Sequence, residues 1–190
     1  MRRTYVRFPN TIKVVFDHRG LGDAFHLFFQ DPWIDPETGK EYPPWVLDSE
    51  KSYVPNAEPL LYSFKANVAL NQQLASCLRV AIEQKTIALP IEAHAAGATG
   101  DEDSGGRALS MEEKAIYIEA DALQVEMGNI VLKTSGAGNY TYDTAKPNQH
   151  KDRYSSLAMG VWYIAQMEDT RKRKIHKRKN DMCIGIVSYF

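Results

Sequence analysis

The sequence predicts an α/β fold built on a mixed sheet, and three observations carry that expectation. A strand-like run at 12–17 ends on a carboxylate and leads through a two-glycine turn into an apolar, helix-like run. Three longer segments repeat their apolar residues at helical spacing, and strand-length runs separate them. A late pair of short runs around a glycine-containing turn reads as a hairpin. The resulting order, β-α-(loop)-β-α-β-α-β-β-α, belongs to the α/β or α+β classes.

Taken in order, Ile12, Val14 and Phe16 alternate with Lys13 and Val15, so 12–17 is expected as a strand. A short helix is expected at 23–29. Residues 31–56 should form a long flexible loop, because Pro32, Pro36, Pro43, Pro44 and Pro55 block regular structure, with Trp33 and Trp45 pinning it to the body. A strand follows at 60–65. Asn67 opens a helix to about Lys85, with Leu70, Leu74, Leu78, Ala81 and Ile82 on one face. Ile87 to Ile91 is a short apolar run ended by Pro90, and 94–108, with its AAGATGDEDSGG core, is a flexible loop by composition.

Ser110 and Glu113 form a capping-box pattern for a helix whose buried stripe is expected to be Ile116, Ala120, Leu123 and Met127, with Gly128 as its stop. Residues 129–134 and 140–142 are the hairpin strands. The last helix runs from about Asp152 through Leu157, Val161, Ile164 and Ala165 into a basic tail.

The bulk properties are those of a globular chain. At 190 residues it has room for one domain, here 1–170, and a small appendage, 171–190. Hydrophobic residues make up 44% and charged residues 25%, as in an ordinary water-soluble fold, and no apolar run approaches the ~20 residues of a membrane span. MRRTYVRFPN lacks the apolar centre of a signal peptide. Cys77 and Cys183 have neither metal-ligand nor redox spacing, which fits a reducing compartment.

The net charge of −1 conceals an asymmetry. Arg171, Lys172, Arg173, Lys174, Lys177, Arg178 and Lys179 are seven of the 23 basic residues. The remaining 16 face 24 acidic side chains. A basic tail on an acidic body is a candidate nucleic-acid contact, and equally the pattern of a solvated helix end.

Two carboxylates invite a chemical reading. Asp17 ends the first strand at a glycine-hinged turn, a common way to present a metal-binding or acid/base group at a sheet edge; it could equally cap the next helix. Asp152 stands at the mouth of the last helix with His150 two residues before it. Capping accounts for an Asp there too. The chemical alternative is that Asp17 and Asp152 together hold a divalent cation. Hard oxygen ligands suit Mg²⁺ or Mn²⁺, and His150 is a further candidate ligand.

The pairing of VVFDHRGLGDAF near the start with HKDRYSSLAMGVWYI near the end resembles the C-terminal nuclease domain of the large terminase subunit of tailed bacteriophages. LNQQLASCLRVAIEQKTIALP and EADALQVEMGNIV resemble it as well, so the likeness covers roughly 10–168. The resemblance implies a ribonuclease H-like mixed sheet flanked by helices. It also implies metal-dependent endonucleolytic cleavage of concatemeric double-stranded DNA during genome packaging, in the cytoplasm of the bacterial host. Asp17 matches the carboxylate at the tip of a central strand, and Asp152 the late Asp at the start of the C-terminal helix. The chemistry implied is two-metal hydrolysis, with ions ~3.5–4 Å apart. The partners implied are DNA, the ATPase domain of the same subunit, the small terminase subunit and the portal protein.

The chain departs from the family pattern in two ways. It has no G-x-x-x-x-G-K-[ST] loop, so it is not the motor half. The family's first central strand carries an Asp and is followed by two antiparallel strands, whereas the 11 residues before Ile12 contain no acidic group. The expectation is a nuclease domain truncated at its N-terminus, with the edge of the 12–17 strand exposed and little cleavage by this chain alone. Asp23 and Asp143 are the candidates to replace the missing ligand. A non-catalytic DNA-binding or assembly module of the packaging complex is the alternative.

Overall fold

A computed structural model describes residues 1–18, 24–51, 53–90, 110–134 and 140–183, of which 112, 140 and 176–183 are described by backbone alone. The chain divides into two compact units, Met1–Asn67 and Val68–Phe190. It is a mixed α/β protein with small sheets and helices.

The first unit is organised by aromatic packing. Its strands are β1 (Val14–Asp17), β2 (Trp33–Ile34), β3 (Glu41–Tyr42), β4 (Trp45–Leu47) and β5 (Glu58–Phe64), preceded by the short helix α1 (Arg2–Arg7). A three-stranded sheet runs β1-β5-β4, with β1 and β4 both parallel to β5, and β2-β3 is a separate antiparallel ribbon. In the main sheet Val14 pairs with Leu61 and Asp17 with Phe64. Phe16, Phe29, Trp45, Leu60 and Leu61 form the core. Trp45 stacks on Phe29 at 5.5 Å with the rings nearly parallel. The Arg2 guanidinium lies 5.3 Å over the Phe29 ring and donates to the carbonyls of Phe28 and Asp31, and Tyr5 packs edge-on to Trp45. Helix α1 is thereby fastened to the core by cation–π and ring contacts.

The stretch expected as a proline-blocked loop therefore differs from expectation. It carries β2, β3 and β4, and β4 is a strand of the main sheet, because its prolines fall between the paired residues (Pro43, Pro44) or outside them (Pro32, Pro36, Pro55). Asp35 closes the β2–β3 turn, accepting from Thr38 Oγ1 at 2.5 Å, and Gly39 takes φ +69° there. The expected helix at 23–29 is a 3-10 helix over Phe25–Phe29.

The second unit is helical. Helices α2 (Val68–Glu83), α3 (Met111–Gly128) and α4 (Asp152–Cys183) accompany an antiparallel hairpin of β6 (Ile130–Thr134) and β7 (Tyr140–Thr144). Helices α2 and α3 both pack on α4, and α2 also meets β7. The capping box forms as expected: Ser110 Oγ accepts from the Glu113 amide at 3.2 Å, and Glu113 Oε2 accepts from the Ser110 amide at 2.8 Å.

The buried faces match those the periodicity predicts only in part. In α2, Leu74, Ala75 and Leu78 are buried while Ile82 is exposed; in α4, Ala158, Met159 and Trp162 are buried while Ile164 is exposed. In α3, Ala120 is buried but Ile116 is exposed, since it lines an open depression. Period alone sets how wide a stripe is. Which edge of it meets a neighbour depends on the docking angle. The boundary expected at 170 falls inside α4, which runs unbroken for 32 residues.

Candidate functional site

The entry to α4 is where local sequence and tertiary contact meet. A helix start leaves its first amides without intrahelical partners, so something must accept from them. Asp152 is the first helical residue, but the acceptor is Glu126 of α3. Its Oε2 takes the amides of Arg153 at 2.9 Å and Tyr154 at 3.1 Å, while its Oε1 takes Arg153 Nη1 at 2.9 Å. Burial pushes the Glu126 carboxyl up. Those donors outweigh it and hold the group below its ordinary range.

Arg153 also reaches Glu119 at 2.6 Å. Hydrogen bonds and charge from both glutamates raise its guanidinium further, so it stays cationic at any accessible pH. Before the helix, Lys151 donates to Asp143 Oδ1 at 2.6 Å, and Lys133 lies 3.5 Å from the other oxygen. The Lys151 hydrogen bond, the Thr144 amide and the two lysine charges bring Asp143 down to about 2.

These contacts assign structural work to Glu126, Arg153 and Asp143, none of which the sequence reading placed at the helix mouth in that role. Asp152 is left exposed, with no hydrogen bond or ion pair among the described residues, and so is His150. Asp152 receives the favourable helix dipole without capping it. With Arg153, Ser156 and Glu119 it rims a depression of about 490 Å³ floored by Leu89, Pro90, Ile116, Ala120 and Leu123.

Asp17 belongs to the other unit. It is exposed at the carboxyl end of β1, and strand alternation turns it to the face opposite Phe16. The next residue, His18, returns to the Phe16 face and places Nδ1 3.1 Å from Ser63 Oγ of β5. That His18–Ser63 contact was not legible in the sequence, because 45 residues separate the partners. Asp23 and the glycine turn at 19–23 lie outside the described residues. Asp143, the other candidate replacement ligand, is committed to its two lysines.

Among the described residues no group of three or more His, Cys, Asp and Glu could hold a metal ion. The described donors are one carboxylate in the first unit, Asp17, and one carboxylate with an imidazole in the second, Asp152 and His150. Hard oxygen donors of this kind fit Mg²⁺ or Mn²⁺. One carboxylate in each unit is short of a two-metal set.

The basic residues fall on the outer part of α4. Residues 166–175 are exposed on every side, and of the seven predicted contacts Arg171, Lys172, Arg173 and Lys174 are described and exposed; the side chains of Lys177, Arg178 and Lys179 lie outside the description. No helix among the described residues is long and apolar enough to cross a membrane. No protein-family model, curated protein sequence or solved structure matches the chain.

Proposed function

We propose that this chain is a terminase large-subunit nuclease domain. Its work would be Mg²⁺- or Mn²⁺-dependent endonucleolytic cleavage of concatemeric double-stranded DNA during genome packaging in the host cytoplasm. The sheet would be a ribonuclease H-like one. Asp17 and Asp152 are the carboxylates assigned to the metal, and His150 is a further candidate ligand; the ATPase domain of the same subunit, the small subunit and the portal are its partners. One observation carries this reading. Glu126 caps α4, so capping no longer accounts for Asp152, whose carboxylate faces solvent at the helix mouth. The parallel β1–β5 pair, with β1 at the sheet edge and Asp17 at its carboxyl end, supports the same assignment.

The test is thermal denaturation with and without millimolar Mn²⁺, since a cation that binds only the folded chain must stabilise it. The expected result is a rise in Tm that Asp152→Asn and Asp17→Asn each reduce. An unchanged Tm in the parent chain overturns the metal assignment. In parallel, plasmid nicking by this chain is expected to be weak or nil.

A second reading, a non-catalytic DNA-binding module of the packaging complex, is favoured by the exposed basic half of α4. Neutralising phosphates releases counterions, so seven contacts give a log–log salt slope of about −6. Deleting 171–190 should flatten that slope, and an unchanged slope removes the role.

A further inference from the structure

Helix α3 is apolar on two opposite sides. Ala120 is buried within the second unit, with Leu123 and Met127 half-buried beside it. On the far side, at 100° per residue, Met111, Ala115, Ile118, Ala122 and Val125 recur at alternating spacings of four and three. Their mean spacing of ~3.5 is that of a helix–helix seam. The three large members are 81%, 57% and 65% exposed. One apolar side is used inside its own unit; the large residues of the other are exposed among the described residues.

We propose that this outer face of α3 pairs antiparallel with the same face of a second copy, about a two-fold axis at Ile118. The pattern is self-complementary in that direction. Met111 falls opposite the second copy's Val125 at both ends, and Ile118 meets itself at the centre. Ala115 and Ala122, lying between the large residues, let the axes approach. On one flank Lys114 falls opposite the second copy's Asp121, twice over, whereas a parallel pairing, which faces each flank with the opposite one, sets Asp121 against the second copy's Glu126. On the other flank Glu119 and Glu126 are each already held by Arg153, at 2.6 and 2.9 Å, which lowers the repulsion across the axis. Met111 to Val125 spans about 21 Å at 1.5 Å per residue. That is a small seam of the transient class, so pairing should be weak and read across a range of high chain concentrations.

The pairing does not rest on the nuclease reading. The experiment is analytical ultracentrifugation of the full chain across that concentration range, alongside disulfide trapping in a Cys77→Ser, Cys183→Ser background. The expected result is reversible dimerisation, abolished by Ile118→Asp with the thermal unfolding curve retained, because Ile118 is exposed. Ile118→Cys should cross-link to itself. Met111→Cys alone should not, because its two copies lie about 21 Å apart along the seam, far beyond disulfide reach; mixed with Val125→Cys it should. Three outcomes overturn the proposal: a monomer at every concentration, a dimer that survives Ile118→Asp, or Met111→Cys cross-linking to itself as readily as Ile118→Cys. A partner of another kind on this face appears as the first of these.

Discussion

The two halves of α4 are one continuous helix under two different sets of forces. From Asp152 to about Ala165 it is held by its neighbours: Ala158, Met159 and Trp162 are buried, Glu126 accepts its first amides, and Lys151 ties its entry to the β6–β7 hairpin. From Gln166 to Ile175 every residue is exposed, and helicity there rests on local terms such as the Arg173–Asp169 pair at 3.3 Å. The inner half is stabilised by tertiary contact. The described outer half is a charged, exposed rod. Asp152 sits at the anchored end, yet the anchoring is done by another carboxylate.

That contrast can be broken most forcefully at Trp162. Trp162→Ala removes a large side chain from the α4 core, and a loss of about 3–5 kcal/mol in denaturant unfolding is expected. Next is Glu126→Ala, which strips the cap from α4 and leaves two amides without their acceptor. A loss of about 2 kcal/mol is expected, whereas Asp152→Ala should cost about 0.5 kcal/mol or less because it removes only a dipole interaction. Equal losses for the two substitutions sink the division of labour at the helix mouth.

A third expectation concerns acid. The folded Asp143 carboxyl, at about 2, lies below its unfolded value of ~3.9, so its contribution is present above about pH 4 and disappears as pH falls towards 2. Asp143→Asn should flatten stability against pH in that window, as followed by circular dichroism. A curve that stays as steep shows that the Lys151 contact does not anchor the helix entry. The smallest stability effect belongs to the outer half. Arg173→Gln with Lys174→Gln should shift unfolding by under about 0.5 kcal/mol while measurably reducing the salt slope of DNA binding. A large loss of stability from that pair means the outer half is packed after all.

Much of the fold was legible because it is local. The Ser110–Glu113 box and the β6–β7 hairpin each depend on residues a few positions apart, and each forms; α3 ends at Gly128 as read, though Asn129 is its C-cap and Gly128 its last helical residue. The first strand was legible from its alternation and ends at Asp17 as read. The miss at 31–56 has a specific cause. Prolines forbid ladder donors only at their own positions, and Trp45-Val46-Leu47, lying between them, is fully able to pair with β5. The faces of α2 and α4 show the other limit: Leu74 and Leu78 are buried as the periodicity predicts, whereas Ile82 and Ile164 satisfy it and stay exposed, Ile164 at a groove that it lines together with α2.

Of the candidate site, the sequence by itself determined where Asp17, His150 and Asp152 stand: at a strand end and at a helix entry. It also determined that seven cations follow one another near the end of the chain. Those are properties of order and period along the backbone. Only the tertiary structure decided what each carboxylate does. Glu126 and Asp152 are both acids within reach of one helix start. Glu126 takes the amides because α3 packs its last turns against α4 and buries that side chain there, 26 residues away in sequence. Nothing local could choose between them, since a cap is satisfied by whichever acceptor the packing delivers.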